Sequence, residues 1–201
     1  MNFVVPVSLS YHQVRLEPLS QQHAEGLKSA CRDGELWKLR VTSAPSPETV
    51  SAYIDLALAQ REQGTRFAFV VIDERTETIV GTTSYHDIVA PIKRLEIGYT
   101  WYAKSAQRTH INTTCKLLLL RHAFEQLHAN VVGLRTDHFN FASQRAIERL
   151  GAKKDGVLRQ HAARPDGTIR DTVMYSIIQS EWAGVQAHLL YLLDRSSLAK
   201  E

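Results

Sequence analysis

Between Glu96 and Glu125 the chain carries no Asp or Glu, yet it carries Lys104, Arg108, Lys116 and Arg121. The stretch that holds them, LEIGYTWYAKSAQRTHINTTCKLLLLRHAFEQL, changes period along its length. Residues 95–102 are dense in β-branched and aromatic side chains, whereas Leu117, Leu120, Phe124 and Leu127 recur at helical spacing. A strand therefore passes through a basic loop into a helix start, where free N–H groups and the positive end of the helix dipole favour a phosphate. On spacing alone two readings stay open, a phosphate-binding loop or a basic loop that merely precedes a core helix. A second strand-loop-helix unit follows in HANVVGLRTDHFNFASQRAIERLG, with Asn140 and Ser143 at the head of its helix. An N-cap and a first-turn polar residue are what these residue types ordinarily supply there.

The elements that position these groups can be read from the same patterns. Residues 14–19 read as a first strand, ended by Pro18 and Ser20, which start a helix. Ser46 is placed as an N-cap with Pro47 at the first helical position, and the helix runs to about Gln63 before Gly64 stops it. Residues 67–73 and 79–86 form a hairpin around ERTET, 93–102 the next strand, and 131–137 the strand after the long helix. Asn140 caps a short helix with Ala146, Ile147 and Leu150 as its buried stripe and Gly151 as its stop. Strands near 154–163 and 169–178 flank the turn RPDGT. Trp182, Val185, Leu189 and Leu192 make a final amphipathic helix that either covers the domain or serves a dimer contact. Strands separated by both helices and hairpins indicate a mixed α/β sheet flanked by helices.

A chain of 201 residues, 44% hydrophobic and 22% charged, suits one soluble domain with a substantial core. The apolar run 117–120 is too short to span a bilayer, and the first residues lack a signal-peptide pattern, so a cytoplasmic location without a membrane partner is expected. Cys31 and Cys115 cannot make a disulfide framework, and the histidines show no metal-ligand spacing, so no metal is expected. A net charge of +3 and a pI near 8.9 permit weak contact with nucleic acid. The 21 acidic residues are interspersed and no basic run reaches five, which argues against a specific nucleic-acid partner.

Over residues 14–182 the chain resembles the GNAT superfamily of acetyl-coenzyme A-dependent N-acetyltransferases, most closely the branch typified by the ribosomal-protein acetyltransferases RimJ and RimL. The order of elements carries the resemblance, together with LEIGY, QRTHIN, NFASQRAIERLGA, GVLRQ and DTVMYSI. It implies the GNAT acyl-CoA N-acyltransferase fold, a central mixed, mostly antiparallel sheet of about seven strands flanked by helices. Residues 1–201 would form a single domain, with its core at about 14–182 and a C-terminal helix at about 180–194. The family's pyrophosphate loop reads Q/R-x-x-G-x-G/A; Gln107 fits its first position, while His110 and Asn112 stand where the glycines usually do. Such a loop binds phosphate with backbone N–H groups, and glycine allows positive φ or close approach. Asn tolerates the left-handed region, whereas His110 either adds a donor or narrows the groove.

By resemblance acetyl-coenzyme A is the cosubstrate. Thr100, Trp101 and Tyr102 would bond the pantetheine amides and the thioester carbonyl, and Gln107, Arg108, Thr109, His110, Ile111, Asn112 and Thr113 would hold the pyrophosphate. Asn140 and Ser143 match positions that contact the cofactor or serve at the thiol. The implied reaction is direct attack of a neutral amine on the thioester, which needs a proton acceptor and a donor to the leaving sulfur. Ser143 is the expected donor, because its helix contains no Tyr. Glu96, acting through a water, and His161 are the expected proton acceptors, with ion pairing to Arg94 as the alternative role of Glu96. Cys115 reads as a packed residue rather than a nucleophile. Glu35 either attracts the amine or is a solvated acid, and Trp37 is either core or groove wall. The acceptor is a primary amine, on a protein N-terminus or a small molecule. The competing class is a catalytically inactive module that binds coenzyme A or another protein.

Overall fold

RFAFVVID offers apolar side chains to both faces of a strand, and β3 (Arg66–Asp73) is buried along its whole length. A central strand covered on both faces has this pattern. In the computed structural model, which describes residues 3–42, 44–164 and 166–198, β3 belongs to one eight-stranded sheet. Its companions are β1 (Leu9–Tyr11), β2 (Val14–Pro18), β4 (Thr78–Val89), β5 (Arg94–Tyr102), β6 (Val131–Asp137), β7 (Lys153–Ala163) and β8 (Ile169–Ile178). The order is β1-β2-β3-β4-β5-β6-β8-β7, antiparallel throughout except between β5 and β6. The strand beyond expectation is β1, which turns into β2 through His12 and Gln13, both at positive φ (48° and 62°). Hairpin turns of this hand usually announce themselves with Asn-Gly, and His-Gln carries no such signal.

Five α-helices flank the sheet: α1 (Ala24–Arg32), α2 (Val50–Glu62), α3 (Ile111–Arg121), α4 (Phe141–Glu148) and α5 (Trp182–Leu198). Gly64 and Gly151 follow α2 and α4 at φ 71° and 95°, as the C-terminal stops require. The start of α2 departs from expectation. The Ser46 N–H donates to Thr49 Oγ1 at 2.9 Å, so Ser46 and Pro47 build a preceding turn and the helix opens at Val50. The RPDGT turn closes through the Arg164 N–H on the Thr168 carbonyl at 2.8 Å, with Gly167 at φ 79°; Pro165 lies outside the described residues. Helix α3 is buried nearly all round, from Ile111 and from Thr113 to Leu120, because the sheet covers one side and α5 the other. Trp182 stacks on Phe124 with ring centroids 5.4 Å apart and donates to Glu125 Oε1 at 3.0 Å, so α5 is a cover for α3. No helix of the described residues is long and apolar enough to cross a membrane.

Two irregularities shape β5. On its β4 side the register steps from Thr82↔Trp101 to Ser84↔Gly98, so that Tyr99 and Thr100 oppose Thr83 alone, and Tyr99 takes φ 49°. A left-handed non-glycine residue costs about 1–2 kcal/mol. Here the Tyr99 ring is held edge-on to His86 at 5.1 Å and 3.8 Å beneath the Arg66 guanidinium. On the β6 side pairing ends after Arg94↔Val131, Leu95↔Val132 and Glu96↔Gly133, and the strands part.

The close register of β4 on β5 makes a stability prediction. Gly81 has φ 153°, and a Cβ there would press on the Trp101 carbonyl oxygen, which belongs to a paired strand and cannot move aside. Gly81→Ala is expected to cost about 3 kcal/mol, seen as a lower urea midpoint. A wild-type midpoint would contradict the register.

Candidate active site

Strand β4 satisfies one edge of β5, and β8 satisfies one edge of β6 along its whole length. Beyond Glu96 and Gly133 the two facing edges have no strand partner, so their peptide groups border an open cleft. A cavity of about 1080 Å³ occupies it. Ile97 to Tyr102 form one wall, Leu134 to Asp137 the other, and residues of the α3 loop, of α4, and of the β7–β8 hairpin close the ends.

At the α3 end Thr109 Oγ1 donates to the Ala106 carbonyl at 2.7 Å and receives the Ile111 N–H at 3.3 Å, which folds the loop back onto the helix start. Gln107 and Arg108 are exposed on the cavity wall, and Arg108 takes φ 60°. His110 has φ −66° and ψ −20°, ordinary helical values, and Asn112 lies inside α3. Neither departure from the glycine pattern therefore demands a left-handed backbone. The His110 ring is buried against His12, centroids 5.3 Å apart, away from the cavity wall, so it does not narrow the groove. Asn112 does face the cavity.

Lys116, one turn further along α3, is buried on the cavity wall and donates to Thr100 Oγ1 at 3.0 Å. Burial pushes its ammonium down to about 8. Burial also pushes the neighbouring Cys115 thiol up to about 12, which leaves it a thiol and not a nucleophile. At the head of α4, Asn140 Oδ1 accepts the Ser143 N–H at 3.0 Å. The cap turns Ser143 toward the cavity, which both residues line.

Where β5 and β6 part, charges cluster. Glu96 is buried, with Oε1 3.1 Å from an Arg94 guanidinium nitrogen and Oε2 3.2 Å from Arg135 Nε, the second an ion pair without hydrogen-bond alignment. Arg135 also pairs with Asp87. His86, Asp87 and Glu96 could together hold a cation, but this guanidinium already stands among them. His86 Nδ1 lies 2.6 Å from Asp87 Oδ2 and 3.1 Å from Arg135. The first contact sets the tautomer. Arg135 can only donate and so competes for Nδ1, but the Asp87 carboxylate is the nearer partner and is held down to about 2 by the His86 hydrogen bond, which makes it an acceptor and assigns the Nδ1 proton to it. His86 Nε2 is then the basic nitrogen, packed over Gly98 on the cavity wall.

The expected site residues are thus divided. Thr100, Trp101, Tyr102, Gln107, Arg108, Asn112, Asn140, Ser143 and His161 come together around the cavity. His161 is exposed there, its Nδ1 3.1 Å from Thr172 Oγ1. Thr109, Ile111 and Thr113 shape the loop and helix start behind the wall, Thr113 Oγ1 accepting from Arg149 at 3.2 Å. Glu96 is off the wall, enclosed by its arginines in the pairing role weighed as its alternative. Glu35 is exposed and paired with Lys38, and Trp37 packs partly buried on the core; Leu36 between them faces the cavity. His86 and Arg170 are cavity residues that sequence reasoning passed over, and Lys116 was read only as one of the basic residues at the helix start.

Residues 13–153 match the family described as Acetyltransferase (GNAT) domain, and the chain belongs to that family. It is 32% identical over 107 residues to YdaF of Bacillus subtilis (strain 168), whose name makes it provisionally a ribosomal N-acetyltransferase; the match spans 53% of this chain and 57% of that relative. A crystal structure from T. thermophilus, provisionally described as an acetyltransferase, is 34% identical with a TM-score of 0.82, covering 94% of this chain and 98% of that one. Mycobacterium smegmatis RimJ in complex with CoA-disulfide shares the fold, with a TM-score of 0.79 at 18% identity over 94% and 96% of the two chains.

Lys116 gives the site a pH signature. Its ordinary value is 10.5 and its folded value about 8, so between these the unfolded chain binds the proton and the folded chain does not. Stability of the wild type relative to Lys116→Met should accordingly rise by about 3 kcal/mol from pH 8 to 10.5 and stay level below pH 8. Urea unfolding of both proteins across this range measures it, and parallel curves would refute the burial of a lysine at the cavity.

Proposed function

We propose that this GNAT-family protein transfers the acetyl group of acetyl-coenzyme A to a primary amine, by direct attack within a ternary complex. The observation that carries the reading is the parting of β5 and β6 after three paired residues, which opens unpaired strand edges onto a cavity at the head of α3. The residues present suit such a cosubstrate. Ile97 to Tyr102 offer peptide groups to a pantetheine arm, and the turn 107–113 with the first N–H groups of α3 suits a pyrophosphate, Arg108 adding its charge. Lys116 extends the positive wall inward.

Acetyl-coenzyme A supplies an activated acyl group and a thiolate leaving group. The chain supplies the proton traffic. His86 Nε2, freed by the Nδ1–H bond to Asp87, accepts the proton that the attacking amine gives up. Ser143 Oγ donates to the departing sulfur, since its N–H and not its hydroxyl is used by the Asn140 cap. His161 is the second base candidate on the wall. The inactive-module alternative rested on His110 and Asn112, and it loses that support because both take helical backbone and His110 is off the groove. The provisional name of YdaF favours an acceptor of the ribosomal kind.

Calorimetric titration with acetyl-coenzyme A, then with coenzyme A, should show dissociation constants on the order of micromolar; no heat from either would remove the proposal. With a competent amine, Ser143→Ala and His86→Ala should each lower kcat by about a hundredfold while leaving the coenzyme A affinity near wild type. Full turnover in His86→Ala together with loss of the pH-rate dependence in His161→Ala would transfer the base role to His161.

A further inference from the structure

The cavity wall is strongly unbalanced in charge. Asp137 is its one carboxylate among the described residues, against Arg40, Arg108, Lys116, Arg135, Arg145, Arg164 and Arg170, of which Arg145 lies exposed on α4. Most of these cations are engaged. Arg135 is held by Asp87 and Glu96, Arg40 by Asp166 at 2.7 Å, and Lys116 by Thr100. Arg164 grips Asp137 through two bonds of 2.6 and 3.1 Å, and Asp137 also accepts the Phe139 N–H at 2.9 Å. Arg108 lies exposed at the α3 loop, where phosphates are expected.

Arg170 is different. It stands on β8 opposite Ala162 of β7, two residues before the Thr172 that pairs with Asp137, and is partly buried on the cavity wall. Its Nε is buried without a hydrogen-bond partner among the described residues. The nearby acid, Asp137, already bonds Arg164. Burial works against the Arg170 charge; Asp137 supports it, and Arg135 and Arg164 oppose it further. A guanidinium in this state is costly unless an anion meets it, and a carboxylate meets it best, by accepting two parallel N–H bonds.

We infer that Arg170 is the anion-recognition residue of the acceptor site and that the preferred acceptor is an amine carrying a carboxylate, such as an acidic amino-terminal segment. The inference rests on the transferase reading for the identity of the second ligand, and on the geometry of β8 for its charge. Arg40 is bonded to the β7–β8 turn, His161 to Thr172 beside Arg170, and Arg40, His161 and Arg170 all line the cavity, so an acceptor entering past the hairpin meets Arg170. A single neutralising anion would complete the wall without disturbing the Asp137–Arg164 pair.

The test uses matched tripeptide amides that differ only in Asp against Asn, or Glu against Gln, at the first or second residue. Two quantities are measured for wild type, Arg170→Gln and Arg170→Lys. One is kcat/KM for acetylation; the other is calorimetric binding of the acetylated peptides to the protein–coenzyme A complex. Wild type should prefer the carboxylate by about tenfold or more in both quantities. The ratio should fall to near one in Arg170→Gln and be partly kept in Arg170→Lys, while coenzyme A itself binds all three alike. Equal handling of the two peptides by wild type, or a ratio preserved in Arg170→Gln, overturns the inference and leaves the transferase reading standing. Weakened coenzyme A binding in Arg170→Gln, with folding intact, would give the arginine to the cosubstrate and also overturn it. Carboxylate discrimination in binding without acetyl transfer to any amine would instead defeat the transferase reading and keep the anion site.

Discussion

Because β4 holds one edge of β5 and β8 holds one edge of β6, the facing edges beyond Glu96 and Gly133 meet no further strand among the described residues and border the space between them. The rest of the molecule is arranged around that gap. Helix α3 is carried to the mouth of the cleft by β5, helix α4 by β6, and each presents its amino-terminal turn there. A ligand that pairs with bare strand edges is recognised by peptide groups, so the side chains along β5 stay free to pack on both sheet faces. Trp101 and Tyr102 do this, buried while their backbone borders the cavity.

A gap of this kind must be kept from closing or from spreading, and the fork itself shows how. Gly133 has no side chain, and Glu96 fills the space above it; a Cβ there would meet Glu96 Cγ at 2.8 Å. Arg94 and Arg135 clamp that carboxylate from both strands. Losing one partner of such a buried group is expensive, on the order of 3–5 kcal/mol, because the remaining charge is left desolvated. Asp137 and Arg164 repeat the device at the other end of β6. Glu96 is therefore the staple of the fork, held by an arginine from each strand.

The elements were legible because most are written in strong local code. Runs such as RFAFVVID, the stops at Gly64 and Gly151, and the Asn140 cap need no tertiary information. The basic loop before α3 was legible as a charge imbalance, and the family resemblance placed the cleft beside it. What stayed hidden depends on distant contacts. The bulge at Tyr99 has no glycine to mark it and is stabilised by His86 and Arg66 from other strands. His86 reads as the end of an apolar strand until Asp87 fixes its tautomer. Lys116 looks like one more basic residue on a helix, and its burial follows only from Thr100 lying beneath it. Of the alternatives open for Glu35 and Trp37, solvent and core are the ones seen, because the short turn holding them rotates Leu36 inward and points its neighbours outward and onto the core.

On the proposed reading the loop before α3 is a glycine-poor phosphate cradle. A phosphate cradle needs N–H groups aimed at one point and room for the oxygens to approach them. Here the single left-handed residue of the turn is Arg108, whose side chain projects into solvent and adds charge. The two positions usually given to glycine are helical, so what they must supply is space rather than backbone freedom. His110 makes that space by turning inward onto His12 at the β1–β2 turn, and Asn112 fills it with a short polar group that can itself bond an anion. Strand β1 and the loop are thereby coupled, because the β1–β2 hairpin supplies the ring on which the His110 ring packs edge to face.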